Sequence, residues 1–188
     1  VINCELAEIG RDMGCQTMVE GPGHVPLDEI EQNIQLQKRM SGGAPYYVLG
    51  PITTDVAPGY DHVTAAIGAA SSARYGADLI CYITPAEHLA LPHEEDVREG
   101  VRICKIAAYI GDMVKYGRRD RDRDLAKARR DLDWERQFAL ALYGDTARAI
   151  RESRQPAEER SCTMCGAYCA LENVNSCFRE ELERGPKK

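Results

Sequence analysis

The stretch YYVLGPITTDVAPGYDHVTAAIGAASSARYGADLICYI, Tyr46–Ile83, decides the fold. It opens on a β-rich run, YYVLG, that stops at Gly50, and closes on a second apolar run, DLICYI, at Asp78–Ile83. Between them, TAAIGAASSARYG (Thr64–Gly76) is built of small residues and reads as a helix able to pack closely against a neighbour. Strand, helix and strand in this order call for parallel strands joined by a helical crossover.

The same alternation extends both ways. Upstream, residues 2–13 read as a helix, and QTMVEG (Gln16–Gly21) is a short strand-like run that also ends in glycine. In LDEIEQNIQLQKRM (Leu27–Met40), Ile30 and Ile34 lie four apart, as do Leu36 and Met40, the spacing of a helix. Downstream, HEEDVREGVRICKIAAYIGDMVKYG (His93–Gly117) carries acids in its first turn, with Lys115, Arg118 and Arg119 near its end, which suits the helix dipole. The class is α/β. Three strands are too few to close a barrel, so they form either a small open sheet or part of a larger barrel.

From Asp120 to Arg154 the pattern is helical only. Leu132, Trp134, Phe138, Leu140 and Leu142 supply the apolar surface for a helical pair broken near YGD. RQPAEER (Arg154–Arg160) reads as a polar linker, followed by a cysteine segment and the charged tail EELERGPKK. The expected organisation is an α/β part at 1–119, a helical region at 120–154, and a linker with the cysteine segment at 155–188.

With 188 residues the chain can build one medium domain or two small ones. No targeting signal and no membrane-length apolar run is present, which leads us to expect part of a soluble cytoplasmic protein. A net charge of −6 argues against nucleic acid as the main partner. The basic run KYGRRDRDRD is interleaved with aspartates and reads as a solvated surface.

Cys4, Cys15, Cys81 and Cys104 are scattered, and each is expected to be a reduced, buried small hydrophobe. The other four cysteines, Cys162, Cys165, Cys169 and Cys177, crowd the C-terminus, a pattern of metal binding or catalysis before disulfides. CTMCGAYC (Cys162–Cys169) puts three thiols into one turn-sized segment. A structural zinc would need a fourth ligand, for which Cys177 is available but alone. A [4Fe–4S] cluster held by three cysteines would leave one iron open, and Gly166 would let the chain turn around it. Cluster, zinc and unmetallated thiols all remain open on spacing.

Parallel α/β folds carry their chemistry at the C-terminal ends of strands. After the first strand comes EGPGHVP, with Glu20 and His24; after the second, GPITTDVAPGYDH, with Asp55, Asp61 and His62; after the third, TPAEHLALPH, with Glu87, His88 and His93. His93 reads as a solvent-exposed bystander, and His62 as a structural residue holding a loop through Asp61 or a helix start. His24 and His88 occupy equivalent positions after neighbouring strands, where two imidazoles can share a divalent metal or make hydrogen bonds. Glu20 either caps the following helix or grips a substrate donor.

MVEGPGHVP, LGPITTDVAPGYDH, CYITPAEHLALP, AKARRDLDW and QFALAL, followed by the cysteine motif, resemble the phosphomethylpyrimidine synthase (ThiC) family over nearly the whole chain. The resemblance implies a radical S-adenosylmethionine enzyme, of which this chain is the last three units of a (β/α)8 barrel, a helical region and a C-terminal cluster segment. It implies a homodimer in which the cluster segment of one subunit serves the barrel of the other, with flavodoxin or ferredoxin as reductant. The implied substrate is 5-aminoimidazole ribotide, rearranged to the phosphorylated hydroxymethylpyrimidine of thiamine. Position by position, Cys162, Cys165 and Cys169 match the [4Fe–4S] ligands, and His24 and His88 match the pair that binds a second divalent ion, zinc or iron. Glu20 and Tyr47 match substrate contacts. The open iron would chelate S-adenosylmethionine, whose reductive cleavage gives the radical that takes hydrogen from the substrate ribose.

Three features depart from the family's familiar form. The cysteine gaps are two and three rather than two and four, and the barrel loops that would grip the substrate phosphate lie outside this stretch. This chain alone is therefore not expected to turn over substrate. KIAAYIGDMVKYG also replaces a more polar AAH helix, and the difference at Tyr109 and Ile110 opens a second product. The related 5-hydroxybenzimidazole synthase takes the same substrate toward the lower ligand of cobamides. A reading of another class is a zinc-binding interaction module, which would be colourless and blind to S-adenosylmethionine. Such a module has no need of Glu20, His24, Tyr47 and His88 on consecutive strands.

Overall fold

The computed structural model describes residues 1–154 and 160–184. Most of the expected linker, 155–159, and the end of the tail, 185–188, lie outside the described residues. The chain divides into two compact units, Val1–Arg118 and Arg119–Lys188.

In the first unit, helix α1 (Ile2–Asp12) precedes strand β1 (Val19–Glu20), and a 3-10 turn at Leu27–Glu29 leads into α2 (Ile30–Met40). Strand β2 (Tyr46–Leu49), helix α3 (Asp61–Tyr75), strand β3 (Leu79–Cys81) and helix α4 (Glu94–Lys115) follow. The expected elements are all present. The strands are shorter than their apolar runs because only the hydrogen-bonded residues count, and α3 begins at Asp61 rather than Thr64.

The strands pair in parallel in the order β1-β2-β3. Val19 lies opposite Tyr46 and Glu20 opposite Tyr47; Tyr47, Val48 and Leu49 lie opposite Leu79, Ile80 and Cys81. Strand side chains alternate between faces, so this register sorts them into two sets. Val19, Tyr46 and Val48 join Ile30 and Ile34 of α2 in the buried core, with Ile80 packed against it. Full burial of side chains such as Ile30, Ile34 and Val48 contributes about 1.5–3 kcal/mol each. Glu20, Tyr47, Leu79 and Cys81 occupy the other face, where Leu79 is half exposed.

Small residues set the distance between α3 and α4, as the composition of Thr64–Gly76 predicts. Ala65, Ala69, Ser72 and Ala73 are buried on α3, and Ala107 and Gly111 on α4, while the buried Gly68 and Gly100 lie against the Pro51 and Ile83 carbonyls. A Cβ on Gly111 would lie 2.2 Å from the Cβ of Ala73, far inside van der Waals contact, so this crossing requires glycine.

At the opposite end of the strands from the loops, Asp78 ties four elements together. Its carboxylate accepts the Tyr46 N–H at 2.9 Å and the ammonium groups of Lys38 and, at 3.4 Å, Lys115. Partial burial pushes the Asp78 carboxyl up, but the hydrogen bonds from Lys38 and Tyr46 and the two positive charges outweigh it and leave the group below its ordinary value.

The second unit corrects the expected helical pair. It contains α5 (Asp120–Arg130), α6 (Trp134–Leu140) and α7 (Gly144–Glu152), then a 3-10 turn at Gly166–Tyr168 and α8 (Ala170–Arg184). The additional break falls at Leu132, whose φ is +55°, and Asp133, whose carboxylate accepts the Arg136 N–H at 3.0 Å and caps α6. The second break lies at Ala141–Tyr143, beside YGD as expected. Trp134 donates its indole N–H to the Arg160 carbonyl at 2.8 Å, and the Arg151 guanidinium stacks 3.6 Å from its ring centroid.

Two expected outcomes test this packing. Gly111→Ala should lower stability by about 1–3 kcal/mol in chemical denaturation, and adding Ala73→Gly should recover part of that loss. Asp78→Asn should cost about 1–2 kcal/mol near neutral pH, toward the lower end for bonds to charged groups because the carboxylate is partly exposed. Since its folded-state pKa is depressed, this contribution is complete above the ordinary carboxylate value. It should fade as the pH falls below about 4, so the wild-type and variant stability curves converge in acid.

Candidate functional site

The first candidate site lies on the open face and C-terminal rim of the sheet. Register places Glu20 beside Tyr47. The adjacent tyrosine faces the other way: Tyr46 is buried, and its O–H donates to Asn33 Oδ1 of α2 at 2.7 Å. A hydrogen bond with the Cys81 side chain, assisted by burial and by the neighbouring Cys81 and Glu20 charges, pushes the Tyr47 phenol up to about 12. Tyr47 is thus a neutral group at physiological pH, able to donate or accept.

Cys81 was expected to be a buried hydrophobe, and this needs correction. It lies two residues beyond Leu79 on the Tyr47 face and is only partly buried. Counting by twos from the paired residues would have found it. Of the four scattered cysteines only Cys4 is buried; Cys15 is exposed and Cys104 partly buried. Cys15 sits in the open connection between α1 and β1, where nothing covers it.

The loops bring His24 and His88 together, with ring centroids 5.2 Å apart. The strands they follow, β1 and β3, are not neighbours as expected, because β2 lies between them. Loop geometry closes the distance. His24 forms a parallel bridge with Ile52 beyond β2, where Ile52 N–H donates to the Gly23 carbonyl at 2.8 Å and Val25 N–H to the Ile52 carbonyl at 3.1 Å. His88 sits in a turn closed by Glu87 N–H to Thr84 O and Leu89 N–H to Ala86 O, with its own φ at +61°.

Each imidazole is engaged through Nδ1. His24 Nδ1 lies 2.8 Å from Asp55 Oδ1, and His88 Nδ1 lies 2.9 Å from Asp61 Oδ2. An ionised carboxylate can only accept, so Nδ1 is the donor in each pair and Nε2 is left for another partner. The Asp61 hydrogen bond raises the His88 pKa, partly opposed by desolvation. Imidazoles whose Nδ1–H groups are held by carboxylates are donors of the kind that zinc or iron takes, although among the described residues no third His, Cys, Asp or Glu completes a metal-binding set with them.

The other two histidines stand partly as expected, His93 being exposed and His62 lying at a helix start. Asp61 holds His88, not the loop through His62. His62 lies in the first turn of α3, with its Nδ1 buried and without a hydrogen-bond partner among the described residues and its ring stacked 6.3 Å from Tyr60. His93 is the N-cap residue of α4, and its backbone N–H donates to Asp96 Oδ2 at 2.8 Å.

In the second unit, Cys162, Cys165 and Cys169 surround the turn at Gly166–Tyr168. Gly166 has φ +51°, the left-handed conformation that the turn requires and that glycine accepts freely. Its N–H donates to the Cys162 carbonyl at 2.9 Å, and Cys169 N–H donates to the Gly166 carbonyl at 3.2 Å. Hydrogen bonds from the Cys165 and Met164 backbones, with the positive charge of Arg151, hold the Cys162 thiol below its ordinary value despite some burial. Among the described residues no three His, Cys, Asp or Glu side chains form a set that could hold a metal ion, so the three thiols do not meet at one point. Their soft donor atoms and the stabilised thiolate nevertheless suit an iron–sulfur cluster. Cys177, the candidate fourth zinc ligand, is exposed on α8. No described helix is long and apolar enough to cross a membrane.

Comparison with known proteins adds to this geometry. The chain is 71% identical to the 5-hydroxybenzimidazole synthase of Geobacter sulfurreducens, over 100% of this chain and 43% of that protein. It is 64% identical to the protein of that name from Desulfuromonas acetoxidans, over 97% of this chain and 42% of the relative. It is 58% identical to the phosphomethylpyrimidine synthase of Methanoculleus marisnigri, over 95% of this chain and 42% of the relative. The chain thus spans well under half the length of these relatives. The family model for the radical SAM ThiC family matches residues 1–176, and the chain belongs to that family.

Proposed function

We propose that this chain is the C-terminal part of a cytoplasmic, homodimeric radical S-adenosylmethionine enzyme that acts on 5-aminoimidazole ribotide and forms 5-hydroxybenzimidazole. The observation that carries the reading is the meeting of two carboxylate-backed imidazoles in the loops beyond the strands of a sheet whose open face sets Glu20 beside Tyr47, in a chain of this family. The benzimidazole product is favoured by the higher identity, 71% against 58%, to relatives bearing that name. The pyrimidine phosphate of thiamine biosynthesis, expected first from the resemblance, is the second reading and is supported by the 58% relatives. The family match lends no support to a zinc-binding interaction module.

In this reading Cys162, Cys165 and Cys169 hold a [4Fe–4S] cluster, and His24 and His88 a second divalent ion. When bound, the cluster supplies the electron, delivered by flavodoxin or ferredoxin, that cleaves S-adenosylmethionine reductively. The chain's own groups bind and orient. Glu20 accepts hydrogen bonds from a substrate hydroxyl or amine, and Tyr47 adds an uncharged polar contact beside it. The three β/α units form part of a (β/α)8 barrel wall, consistent with sequential strands that bury one face under helices and leave the other open.

Turnover of 5-aminoimidazole ribotide by the anaerobically reconstituted full-length protein, read by mass spectrometry, should yield 5-hydroxybenzimidazole; the pyrimidine phosphate would establish the second reading instead. Glu20→Gln should reduce kcat/KM by about 10- to 100-fold, the loss of a hydrogen bond to a charged acceptor, and an unchanged value would remove Glu20 from the site. Residues 1–188 expressed alone should be poorly soluble, because the open sheet and exposed Ile2, Leu6 and Met13 need a cover. Soluble, monodisperse behaviour would count against the barrel.

A further inference from the structure

We infer that Asp61 is a positioning residue that fixes the imidazole of His88 for metal binding. The inference rests on the reading of His24 and His88 as ligands to a divalent ion. Three observations carry it.

First, Asp61 opens α3 and its side chain is only 5% exposed, yet its carboxylate is aimed at the His88 ring 2.9 Å away. A buried carboxylate is costly to desolvate unless something donates to it, and His88 is the partner its side chain has among the described residues. Second, the His88 ring is 55% exposed, so packing alone does not determine its orientation. The bond to a carboxylate anchored on a helix does. Third, His88 holds φ at +61°, a conformation that residues with a Cβ adopt only under constraint from their surroundings. The constraint turns the ring toward His24 and toward Asp61 together.

His24 repeats the Nδ1 arrangement with Asp55, but that carboxylate is 79% exposed on the open loop. Solvent competes for it, and its hold on the ring is correspondingly weaker. The two histidines therefore differ: His88 is the preset ligand and His24 the adaptable one. Donation from Nδ1–H fixes the tautomer and makes Nε2 a better metal donor. The competing explanation is that Asp61 is only an acid at a helix start. That role would affect the stability of α3 and leave metal affinity alone.

The test is a cobalt(II) titration of the full-length protein, followed by its visible absorption and by competition with zinc. Alanines at Cys162, Cys165 and Cys169 keep those thiols out of the measurement. Asp61→Asn should weaken binding by about 10- to 100-fold and alter the cobalt spectrum, whereas Asp55→Asn should weaken it by less than about tenfold. Binding lost in His88→Ala but unchanged in Asp61→Asn would overturn the inference alone. Absence of any ion dependent on His24 and His88 would overturn the metal-pair reading and this inference with it. Should Asp61→Asn fail to fold, nitrogen-15 NMR of the metal-free protein with Asp61 intact decides. A His88 ring protonated at Nδ1 supports the inference, and one protonated at Nε2 overturns it.

Discussion

The register of three parallel strands governs the rest of the first unit. Backbone bonds such as Val19 N–H to Pro45 O and Gly21 N–H to Tyr47 O fix which residue of β1 meets which residue of β2. Because successive side chains point to opposite faces, a slip of one residue would send Tyr47 into the helix-covered core and bring Tyr46 to the open face. Two contacts guard against that slip. The Tyr46 phenol is anchored to Asn33, and the Tyr46 N–H is held by Asp78, whose carboxylate is clamped by lysines from α2 and α4. The packing at the base of the sheet therefore decides which tyrosine stands beside Glu20 on the open face.

Parallel direction has a second consequence. All three strands deliver their loops to one edge, so residues distant in sequence can meet without long excursions. His24 and His88 come together across an intervening strand because the loop after β1 is stitched to the extension of β2 while the turn after β3 folds over it. Close packing of α3 on α4 through Ala73 and Gly111 supports this arrangement, since α3 carries Asp61 at its start and α4 follows directly from the loop that bears His88.

Much of this was legible in the sequence, for identifiable reasons. Glycines at 21, 50 and 76 punctuate the elements, and the small-residue run of α3 announces its close partner. Glu20, His24 and His88 fall where strand ends put functional groups, whereas Tyr47, inside β2, was singled out by the family resemblance alone. What escaped depends on three-dimensional pairing. Cys81 read as apolar filler until β2–β3 register placed it beside Tyr47. Asp61 read as a support for its neighbour His62, because nothing local shows that the chain returns 27 residues later with His88. The break at Leu132 was hidden because leucine rarely marks a left-handed residue; the capping aspartate at 133 was the available signal.

The account rests on the three cysteines of the second unit serving an iron–sulfur cluster with an open iron. The most direct measurement is reduced-state EPR of the full-length protein after anaerobic reconstitution with iron and sulfide, with and without S-adenosylmethionine. A [4Fe–4S] signal that shifts when S-adenosylmethionine is added is the predicted result. A colourless protein that retains a single tightly bound zinc, with no signal to shift, would contradict it.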